Sequence, residues 1–255
     1  MFIFKRIIPF LACLITLGLS ELTIREGTGN PGWWALSVAL VPLLYQVWLM
    51  PKRVRRLQFW GLGIPLWLFG LGSMVVLLYV PGTVWQHVVA VVSAGLIGLY
   101  LETEFSYLYR HSKYVPFSME RMGEMMLAAG AGMTCMGMLG LDVVGLIKTW
   151  QTVLLAVAWA VLISASSVYM YRLPKEKTLF IFSLGVVALF QLYWVLQFLP
   201  ITFVVTGAIA GITVASFFTL TRYAMLESLD RKTLWRTLTT SGTAVVILLL
   251  TTRWT

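Results

Sequence analysis

The densest collection of reactive side chains runs from Glu102 to Glu124, E-T-E-F-S-Y-L-Y-R-H-S-K-Y-V-P-F-S-M-E-R-M-G-E. Two chemistries can be written for it. Glu102, Glu104, His111, Glu120 and Glu124 could supply the oxygens and imidazole of an acidic metal site. Arg110, His111, Lys113 and Arg121, joined by Arg222 and Arg236 from further along the chain, could grip a lipid phosphate or a protein partner. Plainer accounts weigh against the metal. The Glu-x-x-His pair of helical-bundle diiron sites is absent, and Glu120 and Glu124, four apart, suit the first turn of a helix electrostatically. Ser118 is placed to cap that helix, with Arg121 where a capping box would need Glu or Gln. The reading assigns no metal and no cofactor and keeps the basic set as the candidate contact.

Nucleophile and metalloprotease signatures (G-x-S-x-G, H-E-x-x-H) and a phosphate-cradling glycine loop with its lysine are all missing, so no catalytic residue is assigned. Cys13 and Cys135 fall in different apolar segments with no third partner and read as buried thiols. His87 has no acid near it in sequence. Gln46 and Gln191 are the conspicuous polar side chains well inside apolar segments, and the glutamates fall at segment ends. With no ionisable group at mid-segment, proton or sodium coupling is disfavoured. Passive transport stays open, through a groove lined by Gln191, Thr206 and the methionines of the fifth segment.

The elements that must position these residues are membrane spans. Residues are 59% hydrophobic and 11% charged, too few polar groups to cover a water-soluble globule of 255 residues. Apolar runs near Phe2–Ser20, Trp33–Met50, Gln58–Val80, Thr83–Leu101, Met122–Leu141, Thr149–Tyr171, Leu179–Leu199, Thr202–Leu220 and Leu238–Thr252 predict nine spans. The expected fold class is all-α, a polytopic helical membrane bundle, since only helices satisfy their own backbone in lipid and no barrel alternation is present. Trp85, Trp150 and Trp235 fall at span ends, where an indole is favoured.

With the amino terminus inside, all of the 19 Lys and Arg residues except Arg25, Lys148 and Arg253 lie on the inner side. The reading is therefore N-in, C-out, in a bacterial inner membrane. The same bias explains the net charge of +9 without nucleic acid and implies attraction to anionic inner-leaflet lipids. Lys5-Arg6, the following apolar stretch and the small residues Gly18 and Ser20 also have the grammar of a secretory signal, but the first span is read as retained.

Two stretches share a pattern: a basic Pro-containing loop, a long span, a Pro hinge, a span with small residues every fourth position, then a longer inner loop. Tyr79-Val80-Pro81 matches Phe198-Leu199-Pro200; Ala90, Ala94 and Gly98 match Gly207, Gly211 and Ala215. This predicts a first helix with its outer loop over 1–32, then parallel four-helix repeats over 33–147 and 148–255. The small-residue stripes of the fourth and eighth spans let backbones approach closely and are expected to form a central packing seam. The methionines and glycines of the fifth span read as soft filler.

The stretch Y-x-P-F-S-M-E at Tyr114–Glu120, between two hydrophobic hairpins, resembles uncharacterised multi-pass membrane proteins of reduced-genome bacteria. The resemblance implies no activity and no functional residues. The functional expectation is a non-enzymatic inner-membrane component that binds or positions a protein partner or a second copy of itself. A passive transporter or lipid-handling protein is the first alternative, a cytoplasmic-face enzyme acting on a lipid phosphate the second.

Overall fold

The computed structural model describes residues 2–26, 31–50, 58–110, 114–143, 145, 147–171, 175–225 and 230–252. These residues form nine α-helices and no strand: α1 (Phe2–Glu26), α2 (Pro31–Leu49), α3 (Gln58–Tyr79), α4 (Thr83–Tyr109), α5 (Ser118–Val143), α6 (Thr149–Tyr171), α7 (Lys175–Gln197), α8 (Phe203–Met225) and α9 (Arg231–Thr251). Among the described residues, eight of the helices are long and apolar enough to cross a membrane. The chain is a multi-pass α-helical membrane protein.

Helix ends fall where the backbone rules place them. α3 closes with Val80 N–H donating to the Val76 carbonyl at 2.9 Å. Pro81 cannot donate to continue the helix, and Gly82, at φ +87°, takes the left-handed turn that a side chain would resist. Pro200 marks the corresponding break after α7.

The helices form two compact units, Met1–Met126 and Leu127–Thr255. The division falls within α5, and residues 1–32 belong to the first unit. In the first unit α1 is a full member of the bundle, packed on α2 and α4, with α3 against α2 and α4. α1 runs antiparallel to α4: Lys5 meets Tyr109, Cys13 meets Gly98 and Glu21 meets His87. The inward face of α4 is Ala90, Ser93, Ala94, Ile97, Tyr100, Leu101, Glu104 and Phe105, spaced three and four apart as a one-sided helix requires. Pro9, Pro42 and Pro65 lie inside α1, α2 and α3. Each removes a ladder N–H, the usual origin of a bend.

In the second unit α6 packs on α7, α7 on α8, and α8 on α9. α6 turns Thr152, Ala156, Trp159, Ala160, Ile163 and Ser167 inward. The Trp159 indole N–H donates to Thr134 Oγ1 at 3.1 Å, tying α6 to α5. Asp142 is held by Thr152 and Gln197, which donate at 3.2 and 3.0 Å. α9 packs on α8 and has no buried residue.

Candidate functional site

The basic set is divided between the two units. Arg110 and Arg121 belong to the first unit, Arg222 and Arg236 to the second, while His111 and Lys113 lie outside the described residues. Arg110 caps the end of α4, its N–H on the Ser106 carbonyl at 2.9 Å and its guanidinium 5.5 Å from the Phe105 ring centre. Arg121 is exposed on the first turn of α5. Arg222 lies 5.8 Å from the Tyr223 ring centre near the end of α8.

The turn into α5 is built differently from the expectation that Ser118 caps it. Phe117 sits at φ +62° and its carbonyl accepts from Arg121 N–H at 3.1 Å, so Ser118 is already the first helical residue. The orphan Met119 N–H goes to the Tyr114 hydroxyl at 3.1 Å, and that hydroxyl donates to Glu120 Oε2 at 3.2 Å. A tyrosine four residues before the helix does the work expected of the serine. Partial burial pushes the Tyr114 phenol up from its ordinary range, with the Glu120 charge adding to it.

Arg236 has the most developed surroundings. It lines a groove of about 520 Å³ between α8 and α9, with Thr233, Thr237, Thr240 and Ser241 from α9 and Ser216, Thr219 and Tyr223 from α8. Asp230 caps α9 by accepting from Thr233 N–H at 2.7 Å, and residues 233, 236, 237, 240 and 241 line the groove at helical spacing. The Thr233 contacts hold the Asp230 carboxyl below the usual carboxylate range. Most groove hydroxyls are satisfied locally: Ser216 donates to Ile212 O, Thr219 to Ala215 O, Thr237 to Thr233 O and Thr240 to Arg236 O, at 2.8 to 3.0 Å. The Ser216 and Ser241 hydroxyls also pair across the helices. Their oxygens keep accepting capacity, and Arg236 is the charged donor among the lining residues.

The expected seam resolves into separate contacts, each inside one unit. Ala90 and Ala94 are buried in the first, and a Cβ on Gly98 would stand 3.0 Å from Cys13 Cβ, so this stripe receives α1. Gly207 and Gly211 receive α5: a Cβ on Gly207 would lie 2.7 Å from the Gly132 carbonyl, and one on Gly211 would lie 3.1 Å from the Ala128 carbonyl. Ala215 is exposed and lines the α8–α9 groove. Spacing identified the sticky faces but carried no information about their partners.

The residues expected to line a groove, Gln191, Thr206 and the α5 methionines, differ in exposure. Gln191 points outward, Thr206 is buried and donates to the Thr202 carbonyl, and Met126 and Met136 are buried as core while Met125 is exposed. His87 does have an acid partner, Glu21 Oε1 at 2.8 Å, from a helix 66 residues earlier. Glu104 departs furthest from expectation: α4 continues past it to Tyr109, and the residue is wholly buried, as is Gln46. No family model matches this chain, and neither the curated proteins nor the solved structures contain a match.

Proposed function

We propose that this protein is a non-enzymatic component of a bacterial inner-membrane assembly that holds a transmembrane helix of a partner protein against α9. The observation that carries this reading is the state of α9: a helix of spanning length, 21 residues, none of them buried. A membrane helix with a hydroxyl-lined face and an arginine gains more from a second protein surface than from hydrocarbon, because interhelical hydrogen bonds and close small-residue packing drive association in lipid. The matching helix would carry small residues and a carboxylate or carboxamide opposite Arg236.

A photocrosslinking residue at Thr240, with native mass spectrometry after mild detergent extraction, tests the reading. A protein adduct of defined mass, weakened by Arg236→Ala, is the expected result. A monomer without a protein adduct, or one that supports solute flux in liposomes, overturns it. Arg236 and its hydroxyl neighbours favour a second reading, contact with the phosphate of an anionic inner-leaflet lipid, which the same experiment registers as a lipid adduct.

The proposal includes an inner amino terminus. Its support is the Lys and Arg distribution. Sidedness tags on the termini test it, and an amino-terminal tag reporting outside would overturn it. Descent of the two halves from one duplicated unit is part of the same reading, supported by the matched Pro81 and Pro200 breaks.

A further inference from the structure

We propose that Glu104 and Gln46 form a buried site for one monovalent cation, a proton or an alkali ion, within the first unit. Glu104, on the inward face of α4, is 0% exposed, and neither carboxyl oxygen has a hydrogen-bond partner among the described residues. Gln46, on α2, is also 0% exposed, and neither its amide nitrogen nor its amide oxygen has one. The Gln46 side chain is the polar group beside the Glu104 carboxyl. Four unpartnered polar atoms thus converge in one place.

Their convergence is built in. Gln46 reaches the position because α3 presents a glycine there: a Cβ on Gly63 would stand 2.9 Å from Gln46 Oε1. Tyr100, one turn before Glu104 on the same face, gives its hydroxyl to the Leu62 carbonyl at 2.7 Å instead. A buried polar atom left unmatched is destabilising, so an arrangement that gathers four of them calls for an occupant.

Charge and donor chemistry define that occupant. An ionised carboxylate away from water must be neutralised nearby. Several described polar and charged groups on the surrounding elements have other partners. On α1, Lys5 is held by the Tyr109 hydroxyl; at the end of α4, Arg110 lies over Phe105; on α5, Glu120 accepts from Tyr114. Tyr109 of α4 donates to the Leu49 carbonyl of α2, and α3 contributes the Leu62 carbonyl already bonded to Tyr100. No described residue forms an ion pair with Glu104. One negative charge matches one positive charge, and a divalent ion would leave an excess. The two Glu104 oxygens and the Gln46 oxygen are hard donors, suited to a proton or alkali ion and not to soft metals. Glu104 lies about 31 Å along α4 from Thr83 at 1.5 Å per residue, toward the end that carries Lys5 and Tyr109, so the site would exchange with that side.

The test uses the full chain in detergent or nanodiscs. In choline chloride buffer, infrared difference spectroscopy of the wild type should show a protonated-carboxyl band that is lost in Glu104→Gln, identifying a proton. Alternatively, replacing choline by sodium or potassium should raise the thermal midpoint by ~3 °C, an effect absent in Glu104→Gln, identifying an alkali ion. Gln46→Leu should shift the band or shrink the ion effect. A wild type with neither signal overturns the site, and either signal surviving in Glu104→Gln overturns its assignment. Should Glu104→Gln not fold, the wild-type signal decides occupancy and an unchanged signal in Gln46→Leu overturns the pairing.

Discussion

The interior of the first unit and the last helix of the second handle polarity differently. The first closes on itself, its first helix lying along its fourth through Lys5–Tyr109, Cys13–Gly98 and Glu21–His87. It encloses a carboxyl and a carboxamide without partners. The second leaves its last helix on one neighbour, and the polar groups of that helix are largely threonine and serine hydroxyls that bond the carbonyl one turn back. Backbone approach differs as well: Gly207 and Gly132 nearly touch main chain to main chain, whereas Gly98 meets a side chain. A polar side chain that can satisfy itself locally tolerates an open position, whereas one that cannot makes sense only beside something that completes it.

Four substitutions or conditions can break or sharpen this contrast. Gly207→Val should have the largest effect, since its Cβ would lie 2.7 Å from the Gly132 carbonyl and 2.8 Å from Met136 Cβ. A loss of ~3 kcal/mol is expected, read as a lower thermal midpoint in detergent. Tyr109→Phe removes the hydroxyl that joins Lys5 to the Leu49 carbonyl and should cost about 1.5 kcal/mol, with faster hydrogen exchange in α1 and α2 but not in α9. Gly98→Ala should cost about 1 kcal/mol or less, because Cys13 can yield where a backbone cannot. If it cost as much as Gly207→Val, the distinction between side-chain and backbone packing would fail.

The smallest effect is a pH dependence confined to α9. The Asp230 carboxyl is held below its unfolded value of about 3.9, because it accepts from Thr233. Its contribution is therefore present above about pH 4 and lost as pH falls through the lower folded value. Hydrogen exchange at the first turn of α9 should accelerate in that acid window and lose the dependence in Asp230→Asn.

Span positions and hinge prolines were legible because long apolar runs and missing N–H groups act locally. Partners were not. The small-residue faces of α4 and α8 were visible, but nothing in their spacing names α1 or Gly132 as what they receive. Apolar helices such as α7 have no strongly polar side, so the outward direction of Gln191 could not be read from the pattern. Hydropathy places Glu104 at the end of a run, while burial depends on how far α4 continues and on what α2 and α3 set against it. The Ser118 expectation failed because Tyr114 reaches the same helix end from outside the capping motif.

Gly63, the residue that admits Gln46, stands two positions before Pro65 in α3. Pro65 leaves the Gly61 carbonyl without its ladder donor, so this stretch of α3 is the most readily flexed part of the helix. Whatever settles between Gln46 and Glu104 therefore presses on a compliant joint. Its arrival would travel up α3 as a changed tilt, giving a small local event a mechanical lever the length of the bilayer.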